Sequence, residues 1–277
     1  MAAPLTPTTP NEPRPALPGP FYVDTHAHVL PMFDQPRLLD AAAGYAERHG
    51  GGVSVLCLAE RRDDHVFSAW RETGEVGAWS FESVGEPEVL FAHRGGPTEV
   101  VVIAGRQIIT AERLEVLALG TDQTFTDGCD TAATLAEVRS SGALAVIPYG
   151  FCKWTGRRGR LLSRLIEQHH DRGLILGDNG GRPTLGPRPP HFDQAAAHRM
   201  TILPGTDPLP LRSCARQAGG FGVIVDGPMP QEAFGRELRG RLATLGPVPH
   251  RFGDHLSLPR ALFQQAALRL TGSTQKR

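Results

Sequence analysis

The sequence has no excess of charge of either sign: 29 basic side chains balance 29 acidic ones in 277 residues. That balance argues against a general binder of nucleic-acid duplexes or of membrane surfaces, which carry a surplus of Lys and Arg. Aromatic residues are scarce at 6%, too few for an extended base-stacking platform. Cysteine is scarcer still. Cys57, Cys129, Cys152 and Cys214 lie far apart and form no CxxC pair, so a reduced, cytoplasmic protein is the expectation. No apolar run approaches the ~20 residues needed to span a bilayer. Residues 1–20 contain seven prolines but neither a basic stretch nor an apolar core, which excludes a secretory signal there. A segment so poor in apolar surface cannot offset its ordering entropy, and it is expected to form a disordered leader. A single domain over 21–272 and a short flexible tail, 273–277, complete the expected organisation.

Glycine (32) and proline (24), by contrast, are plentiful, and they punctuate a chain rich in connections. Between them, short apolar runs alternate with helical spacing. Strands are expected at 21–23, 53–59, 143–147, 174–176, 201–203 and 221–225. The runs 100–109 and 114–119 read as a hairpin or paired edge. Helices are expected at 36–49, with Pro36 near its start and Gly50 past its end, and at 131–140, 159–170, 231–245 and 258–270. The continuous apolar run VSVLCLA suits a buried parallel strand. Alternation of this kind favours βαβ units and an α/β fold.

The segment FYVDTHAHVLPMF carries the strongest chemical signal. In an extended strand, residues two apart share a face, so Asp24, His26 and His28 would project together. Three polar groups on one face are costly to bury without partners. A divalent ion is an efficient partner, because neutral imidazole and carboxylate suit zinc, manganese or iron. The competing reading is a strand end whose histidines simply hydrogen-bond nearby.

Asp-x-His-x-His after a first strand resembles the opening motif of the PHP family, the polymerase and histidinol phosphatase domains, and more loosely that of amidohydrolase barrels. VVIAGRQIITAERLEVLALG is similar to the family segment in which a glycine precedes a metal-bridging Glu and a hairpin follows. ALAVIPYG resembles the strand ending in His-Pro, LILGDNGGRP the strand ending near an Asn, and ILPGTDPLP the late Gly-Ser-Asp-x-His. These matches keep the family's order and span roughly 21–225. The resemblance implies a distorted TIM-like (β/α)7 barrel holding two or three metals that hydrolyse phosphoesters. The departures are specific. Ala59, Glu60 and Arg61 stand where the family has Thr-Asp-His, and Gln107 replaces the bridging Glu. Ile147 precedes Pro148 where His is expected, and Leu209 takes the place of the last His. His26, His28 and Asp207 carry over, with Asp24 and Glu60 as substitutes, which implies one or two divalent ions (Zn, Mn or Fe).

A basic cluster bears on the substrate. In GFCKWTGRRGRLLSR, Lys153, Arg157, Arg158 and Arg160 fall within eight residues, beside Trp154 and ahead of a helix. At a barrel mouth these groups would favour a phosphate or carboxylate; elsewhere they form a solvated loop with Trp154 as a packing anchor. Asp178 and Asn179 end another apolar run, as metal ligands, substrate contacts or ordinary turn residues. Two functions follow. One is a metal-dependent hydrolase of a small phosphorylated or otherwise anionic substrate, with Asp207 or Asp178 orienting water and Lys153 acting as an acid or anion ligand. The other is an inactive barrel that serves as an anionic-ligand-binding or scaffolding module.

Overall fold

The computed structural model describes residues 14–150, 152–183 and 188–270, so most of the expected leader (1–13) and the expected tail (273–277) lie outside it. In chain order the elements are β1 (Phe21–Ala27), α1 (Gln35–Arg48), β2 (Val53–Leu58), α2 (Val66–Thr73), β3 (Glu75–Val76), β4 (Trp79–Glu82), β5 (Val89–His93), β6 (Val100–Ile103), β7 (Gly105–Ile109) and β8 (Glu115–Leu119). They continue with α3 (Thr131–Ser140), β9 (Leu144–Pro148), α4 (Gly156–His169), β10 (Ile175–Asn179), α5 (Pro190–Ala197), β11 (Ile202–Gly205), β12 (Gly222–Val225), α6 (Phe234–Ala243), β13 (Arg251–Phe252) and α7 (Leu258–Leu270). Among the described residues no helix is long and apolar enough to cross a membrane.

The strands form two mixed sheets, and the expected (β/α)7 barrel is not formed. One sheet has eight strands in the order β13-β12-β1-β2-β6-β5-β4-β3, the other five in the order β11-β10-β9-β8-β7. Parallel pairing is confined to β1/β2/β6 and β9/β10/β11; β12, β13 and the meander β3–β5 pair antiparallel, as do β7 and β8. The sheets meet at two seams that carry isolated bonds rather than a ladder. At one, Glu60 and Arg106 form a single bridge, with Glu60 N–H donating to Gly105 O (3.1 Å) and Gln107 N–H to Glu60 O (2.8 Å). At the other, Asp207 N–H donates to His26 O (2.8 Å). There the ladder stops for a local reason: the His26 N–H is turned to the Asp24 carboxylate (3.1 Å), and pairing of β1 with β2 is irregular between Asp24 and Ala27.

A glycine sits at each seam because the backbones nearly touch. A Cβ at Gly105 would stand 2.3 Å from Leu58 O, and one at Gly205 would stand 2.5 Å from the His26 nitrogen. The run read as one apolar stretch over 100–109 is therefore two strands in different sheets, with the chain crossing over at Ala104 and Gly105.

Three apolar layers follow from the two-residue alternation of the strands. Val53, Val55 and Cys57 of β2 join Val23, Phe91, Val101, Leu117, Val146, Ile175 and Leu203 in a core between the sheets. Leu56 and Leu58, on the opposite face of the same strand, pack under α1 and α2 with Leu38, Leu39 and Trp70. On the outer face of the five-stranded sheet, α3, α4 and α5 cover Ile147, Leu176 and Ile202, and Trp154 is buried there against Phe192. The packing role read for Trp154 is thus its structural one. Helix starts follow local rules: Asp34 caps α1 by accepting from Arg37 N–H (3.1 Å), and Asp130 caps α3 by accepting from Ala133 N–H (2.9 Å).

Candidate metal centre

The C-terminal end of β1 and the turn after β11 face each other across the second seam. His26 Nε2 and His28 Nε2 lie 3.2 Å apart, and Asp207 Oδ1 lies 3.7 Å from the first and 3.4 Å from the second. Both histidines are buried, whereas the Asp207 side chain is about a quarter exposed. Among the described residues these three form a group able to hold a metal ion. Two ligands ~2.1 Å from a tetrahedral ion stand roughly 3.4 Å from one another, so the three separations fit such a site.

Protonation suits the same role. Burial, aided by the charge of Lys153 and the His28 ring, lowers the His26 pKa to about 4, against the opposing pull of Asp207 and a hydrogen bond with Gln107. The ring is therefore neutral at physiological pH, the form a metal requires. Burial works to raise the Asp207 pKa, but the two imidazoles and Lys153 outweigh it and hold the carboxyl well below its ordinary range. Asp207 also has φ +45°, a left-handed conformation that costs a non-glycine residue about 1–2 kcal/mol. Asn179, at the end of β10, donates its side-chain amide to Asp207 Oδ2 and accepts from Gly181 N–H (2.6 Å), which fixes the carboxylate's orientation.

The other expected ligands stand apart. Asp24 is fully buried, but its carboxylate is filled by three backbone N–H groups, those of His26 (3.1 Å), Thr206 (2.8 Å) and Gly219 (2.9 Å). Desolvation nonetheless raises its pKa. The irregularity between Asp24 and Ala27 breaks the alternation that would have placed all three motif residues on one face. Glu60 is committed to Phe67 N–H (2.8 Å) and to Arg106 (3.0 Å).

Above the three-residue group runs a cleft with two connected parts. One, about 260 Å³, is lined by His28, Arg61, Gln107, Glu115 and Lys153. The other, about 330 Å³, has walls that include Tyr149, Asn179, Leu209, Leu256 and, from α7, Gln264. Lys153 and Asp207 line both parts. Lys153 Nζ is paired with Glu115 of β8, which steadies the ammonium at the wall. The rest of the basic cluster points elsewhere. Arg157 and Arg160 are exposed on α4, and Arg158 donates to Arg113 O (3.4 Å) and Cys152 O (3.2 Å); none of the three lines this cleft. Asp178 is also diverted, because its carboxylate takes both Arg182 nitrogens (2.8 and 2.9 Å) and His255 Nε2 (2.9 Å). Burial favours its neutral form, but those bonds win and bring its pKa to about 2.

Sequence reasoning missed Glu115, Tyr149, Arg182, His255 and Gln264. Glu115 precedes Lys153 by 38 positions and His255 follows Asp178 by 77, so no local spacing reveals either pair.

No protein-family model matches the chain, and its sequence matches no curated protein. Solved structures do match. PsfC from Pseudomonas syringae PB-5123 superposes with a TM-score of 0.57 at 15% identity, over 90% of this chain and 97% of that one. A two-domain protein from Bacteroides vulgatus ATCC 8482, described as containing a predicted PHP-like metal-dependent phosphoesterase, aligns at TM-score 0.46 and 15% identity, over 94% of this chain and 74% of its own. The chain thus has a fold similar to that of PsfC along nearly its whole length, with two histidines and an aspartate gathered where the two sheets meet.

Proposed function

We propose that this protein is a metal-dependent hydrolase of a small, phosphorylated substrate, working with one divalent ion (Zn, Mn or Fe) held by His26, His28 and Asp207. The observation that carries this reading is the convergence of two imidazoles and a carboxylate at the floor of a cleft whose wall bears Lys153. Such an ion supplies Lewis acidity toward a phosphoryl oxygen and its attacking water. The chain's own residues do the rest. Asn179 keeps Asp207 oriented beside the two rings. Lys153 offers positive charge to the negative charge that develops during phosphoester cleavage, and Glu115 limits its motion. Arg61 also lines the cleft, where Asp64 holds its guanidinium in place (2.7 and 3.1 Å), and offers a further hydrogen-bond donor toward an anionic substrate.

A single ion is favoured over two because Asp24 and Glu60 are already satisfied by other partners. A base role for Asp178 is not supported, since Arg182 and His255 occupy its carboxylate. The loss of those ligands also favours a rival reading, an inactive module that binds an anionic ligand. A screen of phosphomonoesters and phosphodiesters with added zinc, manganese or iron separates the two. Turnover that disappears in His26→Ala/His28→Ala supports the hydrolase; saturable substrate binding without turnover under every metal supports the module.

A further inference from the structure

Where the chain enters β9, β10 and β11, at the end of the five-stranded sheet remote from Asp207, a separate cavity of about 300 Å³ opens. Leu144, Leu174, Ile175 and Met200 give it an apolar floor, Arg139, Arg172 and Arg199 converge on it, and no acidic side chain lines it.

Each arginine has a local explanation taken singly. Arg139 lies in the last turn of α3, Arg172 in the short turn after α4 and Arg199 just past α5, and cations are favoured at helix C-termini. That does not account for three of them meeting with so little compensation. Arg139 Nη1 is buried without a hydrogen-bond partner. Burial and the neighbouring charge of Arg172 both disfavour the Arg139 cation. The nearest acid to Arg172 is exposed Asp171 at 3.9 Å, and among the described residues neither Arg139 nor Arg199 has an ion pair. The His169 ring, which also feels Arg139 and Arg172, has a buried Nδ1 with no partner.

We infer that this cavity is an anion site for a small phosphate-bearing molecule, independent of the proposed metal centre. Planar guanidinium groups bind phosphate oxygens in pairs, and a bound phosphate would neutralise the facing cations and satisfy the orphaned Nη1. The apolar floor would take a non-polar group carried by the phosphate, so the ligand is an organic phosphate rather than free phosphate.

Calorimetric titrations at low ionic strength test this with two probes, inorganic phosphate and phenylphosphonate, which has no ester bond to hydrolyse. Wild type is expected to bind one equivalent of each at this cavity, retained when the two histidines are replaced and additional to any held at the metal centre, with phenylphosphonate bound more tightly. Arg139→Gln/Arg199→Gln is expected to weaken both at least tenfold, and Arg199→Gln alone, at an exposed position with no ion pair to lose, about threefold. His26→Ala/His28→Ala is expected to bind at this cavity as wild type does. Equal affinity for the two probes would show that free phosphate is the ligand and overturn the organic-phosphate assignment. No saturable binding, unchanged affinity in a correctly melting Arg199→Gln, or binding lost with the two histidines would overturn the site itself.

Discussion

Asp24 and Asp207 are carboxylates at the same seam, one on each side, and the fold uses them oppositely. Asp24 is sealed from solvent with its oxygens filled by three backbone N–H groups from the end of β1, the turn after β11 and the approach to β12. Asp207 is partly open, sits in a strained backbone conformation and faces two imidazoles whose nitrogens lie near its Oδ1. The first carboxylate is a clamp that fixes where Thr206, and hence Asp207, can lie. The second retains acceptor capacity for something absent from the chain. Residue type alone does not separate the two; what separates them is whether the acceptors are already used.

The contrast is sharpest in stability. Asp24→Ala strands three buried N–H groups and is expected to lower the unfolding free energy by about 3–5 kcal/mol. Asp207→Asn, measured by denaturant in the presence of a chelator, is expected to cost less than that, because no backbone N–H group depends on its oxygens. Similar costs for the two would dissolve the distinction.

Asp178 extends the comparison to a third carboxylate, one filled by side chains. Its pKa lies at about 2 in the fold against the ordinary 3.8. The stability it contributes is therefore fully present above pH ~4 and is lost as pH falls through 3.8 toward 2, about 2 kcal/mol in all. Acid unfolding of Asp178→Asn should lack that slope, with metal content unchanged. A normal acid slope, or a loss of metal, would place Asp178 with Asp207 instead.

Smaller effects are expected along the basic cluster. Lys153→Gln should lower kcat/KM on a phosphoester about tenfold, or ~1.4 kcal/mol. Arg157→Gln and Arg160→Gln, on the exposed side of α4, should leave it within twofold. Reversal of that order would move the substrate away from the cleft above Asp207.

Much of the secondary structure was legible because buried strands are continuous apolar runs: 53–59 and 143–147 match β2 and β9 within a residue or two. The meander β3–β5 was not, since its first two strands are short and largely polar on one face, as in WSFE. Barrel closure was not legible either. It depends on whether β11 continues the ladder of β1, and there the Asp24 side chain takes the His26 N–H that such a ladder would use. At the site, His26, His28 and Asp207 were readable from their motifs. Asp24 and Glu60 stand outside that group, because backbone N–H groups and a distant arginine, neither visible in local spacing, occupy them.

The most direct test is the metal content of protein purified without chelators, measured by elemental analysis for wild type and His26→Ala/His28→Ala in parallel. One equivalent of zinc, manganese or iron in wild type, and none in the variant, is the expected result. Metal-free wild type that gains no thermal stability from any of the three ions would contradict the metal centre.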